Sequence, residues 1–527
     1  MDWMIASPPN TMSPARPREW WETRAFAVAM VLLAAVPLIY PPIPPLVDLL
    51  GHIGRYRVEM DLATSPSLQK YYEFHWAIVG NLGVDLLVWP LGKLIGLEPA
   101  VKLIVISIPM MTVAGMLWCA REVHYRLPPT VMFALPFAYG QHFLFGFVNY
   151  ALAMAFALLA FGLWLRLGRL GKPWLRAGVF VPISVLIWLT HAFGWGMLGL
   201  LAFASEAVRQ HDRGQGWFQS GIRAAVHCLS LLPPILLMLA WRDSSGGFTG
   251  DWFDVPTKVH WIETALRDRW RPFDRASVAL VGMVFVFAVA YPRLTLSRML
   301  FFTCLVLAAA FIILPRIIFG SAYADMRLIP YLLALAILAI RFKGETQIRF
   351  ARAIAIAGLA FLLVRTAATT ASMAIAAREQ RALLTALDHV PVGARVVSMV
   401  GLSCREGGWP MWRNAHLGGL VVARRLGFSN DHWETPGAKL LSVTYERAGF
   451  WKYDPSNLVR ASNCGLASAR PIELMLRAFP RAAFDYLWLI DPPKFDPTLL
   501  RGEVKVWQGP NGAALYRLQE QGASPAR

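Results

Sequence analysis

Apolar runs of near-bilayer length constrain this chain more than any other feature. They recur near residues 24–42, 77–97, 100–120, 146–166, 175–190, 192–208, 221–240, 273–291, 297–319, 326–341 and 350–372. A span needs roughly 20 mainly apolar residues, and a backbone in hydrocarbon must satisfy its own hydrogen bonds, so such runs become helices. The pattern predicts a polytopic α-helical membrane protein with about 11 transmembrane helices. Charged residues make up only 16% of the chain, below the roughly 25% usual for soluble domains.

The net charge of +18 does not indicate a nucleic-acid partner, because the basic residues bunch in short gaps between apolar runs. Arg166, Arg169, Lys172 and Arg176 form one such group, and Arg341, Lys343, Arg349 and Arg352 another. This is the signature of cytoplasmic loops. Residues 1–23 carry Arg16 and Arg18 and read as a cytoplasmic N-terminal segment. The run that follows is longer than a signal-peptide core and lacks a convincing cleavage site, so it is expected to be retained as the first span. The chain is then a multi-pass protein of a cytoplasmic (inner) membrane, with residues 24–376 as the transmembrane module and 43–76 as its first external loop.

Residues 128–139 are apolar but too short to cross, and counting them as a span would invert every later loop. We read 128–141 as a half-helix that enters from the outer side and returns, a geometry tolerated only where protein or a cavity shields it. Beyond residue 376 no span-length run occurs. Short strands are expected at 394–400, 486–490, 504–507 and 513–518, with helices at 377–389 and 471–479. Residues 377–527 therefore read as a C-terminal α/β domain, extracytoplasmic (periplasmic or extracellular) by parity. Such a location would permit a Cys404–Cys464 disulfide. Cys119, Cys228 and Cys304 lie in apolar runs and read as small hydrophobes.

The polar residues at the external ends are the candidates for chemistry. A helix starting after Pro44 and Pro45 would place Asp48, His52, Arg55 and Glu59 in one stripe. Within its first turn Asp48 would be favoured in the ionised form by the helix dipole and by the neighbouring His52 and Arg55. An ionised Asp can orient and partly deprotonate a hydroxyl acceptor, while His52 and Arg55 can meet a phosphate. The same stripe would also serve as the solvated face of a helix lying at the membrane surface, and Glu59, two turns further on, is read as solvated. On the same outer rim, topology places Asn81 and Asp85 in the second span, His142 and Asn149 in GQHFLFGFVNY, His191 in WLTHAFGW, and Asp325 and Arg327 in YADMRLIPY. No GxxxxGK[ST] and no Cys/His metal spacing occurs.

The segments VDLLGHIGR, YYEFHWAIVGNLGVDL, LFGFVNYALAMAFALLAF and DMRLIPYLLAL resemble a bacterial branch of the GT-C class of integral membrane glycosyltransferases. The resemblance covers most of the membrane part and is weak over residues 377–527. It implies transfer of a sugar from a polyprenyl-phosphate-linked donor to a glycan, lipid or protein acceptor at the outer face. The family's first-loop acid, as catalytic base or acceptor-positioning group, matches Asp48, and its late-span phosphate-binding cation matches Arg327 by place. His52 is paired with Asp48 as a catalytic candidate. Arg55, Asn81, Asp85, His142, Asn149, His191 and Asp325 join Arg327 as candidate substrate-binding groups. The first loop has no paired Asp-Glu or Asp-x-Asp, so no cofactor is required, although a divalent metal is permitted. Membrane lipid is an expected partner. Two rivals share these features: a transporter or flippase for a lipid-linked sugar, and a non-catalytic envelope assembly protein. The first predicts internal repeats, and none is seen.

Overall fold

The structure, a computed structural model, describes residues 17–240, 248–318, 320–343, 348–404, 408–433, 440–465 and 470–519. Every one of the eleven apolar runs contains helix, but their lengths differ. Among the described residues five helices are long and apolar enough to cross a membrane. They are α4 (Leu97–His124), α5 (Val148–Arg169), α6 (Pro173–Thr190), α8 (Arg271–Ala290) and α11 (Ile348–Leu384), the last continuing through a 3₁₀ turn to His389. A sixth span arises if Trp217–Leu231 and Pro233–Leu239, bent by 62°, act as one.

The other predicted crossings fall short for local reasons. Helix α1 (Arg24–Leu33) stops before a second short turn, Val36–Ile39, that contains Pro37. Helix α3 (Gly83–Ile95) begins six residues later than its apolar run, because Leu82 donates its N–H to the Leu189 carbonyl at 2.8 Å instead of entering the helix. Helix α7 (Ala192–Asp212) carries Glu206, Arg209 and Gln210 in its last turns. Helices α9 (Arg298–Ile313) and α10 (Ile329–Leu338) are short. Leu103, Leu186, Leu236, Met283, Val286 and Ile356 are exposed, an apolar surface suited to lipid and costly in water.

Residues 128–141 form two 3₁₀ turns, Val131–Phe133 and Leu135–Tyr139, in place of the expected half-helix. They are buried throughout, so protein shields the broken backbone.

The C-terminal region contains the four expected strands: β2 (Arg395–Gly401), β6 (Tyr486–Ile490), β7 (Val504–Gln508) and β8 (Ala514–Arg517). Three very short strands, β3 (Phe428–Ser429), β4 (Leu441–Val443) and β5 (Leu458–Val459), had no readable pattern. The main sheet runs β3-β2-β6-β8-β7, with β5 beside the end of β2. Strand β2 is parallel to β3, β5 and β6, whereas β8 is antiparallel to its neighbours. All five residues of β6 are buried, as expected of a strand covered on both faces. Cys404 and Cys464 are disulfide-bonded.

The boundary at residue 376 is not a break in the chain's packing. Helix α11 runs through it, and the first loop belongs structurally to the C-terminal region. Strand β1 (Tyr72–Phe74) pairs antiparallel with β4, Tyr72 opposite Val443. Helix α2 (Leu49–Asp61) packs on α12 (Gly419–Arg425). A Cβ on Gly54 would stand 2.7 Å from the Gly419 carbonyl oxygen, and one on Gly419 only 2.6 Å from that of Leu50. The glycines in LLGHIGRY and HLGGL are what let these backbones meet. Helix α2 therefore does not lie on a lipid surface; it is sandwiched between the helical bundle and the C-terminal domain.

Buried ion pairs fasten the same junction. Asp268 accepts from Arg413 at 2.6 Å and from the Ser372 hydroxyl at 2.7 Å. Arg413 also donates to the Pro45 carbonyl, and Gln380 donates to the Arg413 carbonyl at 2.7 Å. Asp274 is held by Arg365 and by the Trp409 indole, both at 2.7 Å.

Candidate functional site

Asp48 immediately precedes α2, and its carboxylate makes no capping bond to the helix. Its backbone is clamped instead: Val47 and Asp48 donate to the carbonyls of Leu144 and Phe145 at 3.2 and 2.8 Å. Gly146 permits this clamp. Its φ is +90°, and a Cβ there would lie 2.8 Å from the Asp48 nitrogen. The loop leading into α5 thus fixes Asp48 while leaving its carboxylate free to face a cavity.

That cavity, about 440 Å³, lies where the starts of α2, α5, α7 and α10 meet the C-terminal domain. From the sequence-derived set it gathers Asp48, His52, Asn81, Asn149, His191 and Arg327. His191 is held by accepting the Phe193 N–H at 3.1 Å and packs edge-on to Tyr150. His52 meets the Trp433 ring at 5.1 Å, and its Nδ1 has no hydrogen-bond partner.

Arg327 is 7% exposed and sits within an aromatic wall, its guanidinium 4.6 Å from the Phe147 ring centre, 5.3 Å from Phe193 and 5.4 Å from Tyr150. Its hydrogen-bond partners are the Ser321 hydroxyl at 3.2 Å and the Ala322 carbonyl at 3.3 Å. Among the described residues no carboxylate forms an ion pair with it. A buried arginine without a counter-ion is costly, and one facing a cavity is placed to receive an anion.

Four other expected site residues do not line the cavity. Asp85, fully buried, is bound by Arg55 at 2.7 Å and by Asn149 Nδ2 at 3.0 Å. The same Asn149 accepts from Val84 N at 2.6 Å and donates to the Asn81 carbonyl at 2.9 Å. Arg55 and Asp85 are therefore an ion-paired brace between α2 and α3. His142 is bonded to the Tyr331 hydroxyl at 3.0 Å. Asp325 accepts from Lys258 at 3.0 Å, from the Trp261 indole at 3.1 Å and from Met326 N at 2.9 Å. It pins the turn that carries Arg327.

Glu59 corrects a further expectation. It is only 8% exposed, and neither carboxyl oxygen has a hydrogen-bond partner. Burial, with the Asp85 charge adding to it and Arg55 opposing, pushes Glu59 up to about 9. It is a buried neutral acid rather than a solvated anion.

The C-terminal domain supplies the half of the cavity that sequence reasoning missed: His416, Trp433 and Asp454. His416 Nδ1 pairs with Asp431 Oδ1 at 2.9 Å, while Nε2 points toward Asp48 Oδ1 at 3.7 Å. Asp431 is fully buried and also accepts from Asn457 Nδ2 at 2.7 Å and Gly419 N at 2.6 Å. These residues lie in HLGGL, SNDHW and KYDPSN. Their wide spacing matches no motif, and only the pairing of the short strands brings them together.

The charges interact strongly. Burial raises Asp48 to about 6, with His416 and Arg327 opposing and Asp454 reinforcing. This reverses the expectation that the helix dipole would hold it low. Burial also raises Asp454 to about 6, against the pull of His416. For His416 burial disfavours the charge, but Asp431, Asp454 and Asp48 outweigh it and lift the imidazolium to about 10. His52 is driven well below its ordinary value by burial and by Arg55, and stays neutral.

Compared with known proteins, the chain matches no family model and no curated protein.

Proposed function

We propose that the protein is a membrane glycosyltransferase of GT-C type, transferring a sugar from a polyprenyl-phosphate-linked donor to an acceptor hydroxyl at the outer face of a bacterial inner membrane. The observation that carries this reading is a carboxylate and an arginine on one cavity: Asp48, whose nearest cation is His416 at 3.7 Å, and buried Arg327, with no carboxylate partner among the described residues. A lipid phosphate leaves readily once positive charge receives it, and an acceptor hydroxyl needs a base. Arg327 binds the departing phosphate; Asp48 orients the acceptor and takes its proton. At about 6, Asp48 is a stronger base than an ordinary aspartate yet still ionised at neutral pH.

The topology that goes with this reading has eleven crossings, the shorter apolar helices completing them by tilt and local thinning of the bilayer, with the N-terminus inside and the C-terminal domain outside. The Cys404–Cys464 bond supports an external, oxidising location for that domain. Apolar sides of the bundle face lipid, and neither donor sugar nor acceptor class is part of the proposal.

The test is transfer from radiolabelled polyprenyl-phosphate sugars by purified protein in liposomes. The wild type is expected to release the lipid phosphate, and Asp48→Asn is expected to lose that release. Wild-type turnover in the variant would remove Asp48 from the role. Movement of a fluorescent lipid-linked sugar across the bilayer without bond cleavage would replace the transferase by a flippase.

A further inference from the structure

We propose that a groove between α1 and the last turns of α4 binds one diacyl phospholipid with an anionic headgroup, taken from the leaflet opposite the candidate site. Helix α5 starts at the cavity with Asn149 and ends at Arg166 and Arg169, which bind Glu122 of α4 at 3.3 and 2.7 Å. The groove beside Glu122 therefore lies at the other end of the bundle, the cytoplasmic end in the proposed topology. Its volume is about 390 Å³. Arg18, Arg121 and Arg126 line one end, and Val28, Leu32 and Ala114 the other. At 1.5 Å per helical residue, Leu32 stands about 13 Å along α1 from Thr23, and Ala114 about 10 Å along α4 from Arg121. The two helices thus carry the same gradient, cationic to apolar, side by side.

Charge selects the occupant. The acids at this end are already engaged: Glu22 with Arg126 at 3.3 Å, Glu19 with Arg352 at 3.0 Å, and Glu122 with Arg166 and Arg169. Among the described residues neither Arg18 nor Arg121 has an ion pair. Three guanidiniums against one carboxylate, Glu22, leave the lining with a charge of +2. The start of α1 adds to it, because only the Phe26 N–H is capped there, by the Thr23 hydroxyl at 3.1 Å, and a helix N-terminus carries partial positive charge. Half-buried Trp118 and exposed Tyr125 join the two ends, as aromatic rings do at headgroup depth. Beyond them Val28 and Leu32 are exposed. A zwitterionic lipid would leave the excess charge unmet, and a free phosphate would leave the apolar half in water. An anionic lipid meets both, and basic pockets between spans recognise such headgroups.

The lipid site rests on the membrane reading and not on glycosyl transfer, and it is measured with no sugar donor present. Full-length protein in detergent is irradiated with phosphatidylglycerol carrying a photoactivatable acyl chain, and the labelled peptides are located by mass spectrometry. Labelling is expected in residues 24–33 and 114–127, displaced by unlabelled phosphatidylglycerol but not by equal amounts of phosphatidylcholine or of glycerol phosphate. An arginine near an anionic headgroup is worth about fivefold in affinity, so a protein carrying both Arg18→Gln and Arg121→Gln should need at least about tenfold more lipid for half-maximal labelling. The wild-type competition decides even if that variant misfolds. Equal displacement by phosphatidylcholine would make the groove an unselective lipid surface, and displacement by glycerol phosphate would make it an anion site; either overturns the lipid site, as does labelling confined to other helices. Unchanged lipid dependence in a monodisperse double variant removes the arginines as the headgroup clamp and overturns it too.

Discussion

Two sets of buried charges lie close together in this molecule and are treated in opposite ways. At the junction, Asp268, Asp274, Arg365 and Arg413 are all nearly inaccessible, and each has a partner at 2.6–2.7 Å. In the cavity, Arg327 has a hydroxyl and a carbonyl but no carboxylate as partner among the described residues, Asp454 keeps a buried oxygen with none, and Asp48 meets a cation, His416, at 3.7 Å. Desolvation costs the charge in both places, but only at the junction does the protein repay it internally. The junction is therefore built for cohesion. The cavity keeps its charges for something that arrives from outside.

The sharpest way to break this contrast is to remove one charge from each set. Asp48→Asn should lower transfer by about 10²- to 10⁴-fold, the range of a general base, while the thermal midpoint stays level or rises because a costly buried charge is gone. A midpoint falling in step with activity would make Asp48 structural. Arg413→Met should behave in the opposite sense. It leaves Asp268 buried without its partner and frees the Pro45 carbonyl, so a stability loss of roughly 3–5 kcal/mol is expected from chemical unfolding. A loss below about 1 kcal/mol would show that the junction charges are dispensable and would dissolve the comparison.

Arg327→Gln tests the cavity side at smaller amplitude. Ser321 and Ala322 bind the guanidinium from one side only, so the fold should tolerate the change. Affinity for the phosphate-bearing donor should fall about 10- to 100-fold, the equivalent of roughly 1.4–2.8 kcal/mol, measured by binding in nanodiscs. Unchanged affinity would place the phosphate elsewhere.

What the sequence could disclose follows from the physics of each element. Apolar runs and the strands around Val397 and Leu487 are written in local periodicity, which is why they are legible. Asp48, His191 and Arg327 were found because they interrupt apolar segments at corresponding ends, where a polar side chain needs a reason. Asp85 and Asp325 interrupt such segments too, but they are braces: composition cannot distinguish a charge satisfied by Arg55 or Lys258 from one left open. His416 and Asp454 were invisible because nothing local marks them. They reach the cavity only through two- and three-residue strands and the glycine contact between α2 and α12, both of which depend on tertiary packing. The same contact hid the burial of Glu59, whose helix reads as amphipathic in isolation.

Glu59 gives the smallest and most diagnostic effect, because it sits between the two classes: buried like the junction acids, unpartnered like the cavity groups. Arg55, Asp85 and Tyr56 are its charged and titratable neighbours, and Arg55 is already committed to Asp85. With its folded-state value raised to about 9, the folded protein keeps a proton that the unfolded chain releases above about 4.5. Stability from this group must then fall as pH rises between those values, by at most about 1.4 kcal/mol per pH unit, and the full penalty is in place above 9. Glu59→Gln keeps the shape and removes the titration. Its thermal midpoint relative to wild type should therefore climb from pH 5 to pH 9, passing wild type by a few degrees at the alkaline end. A constant difference would mean that Glu59 is already ionised, and a variant less stable at pH 9 would show Arg55 shared between Glu59 and Asp85, placing Glu59 with the paired charges of the junction.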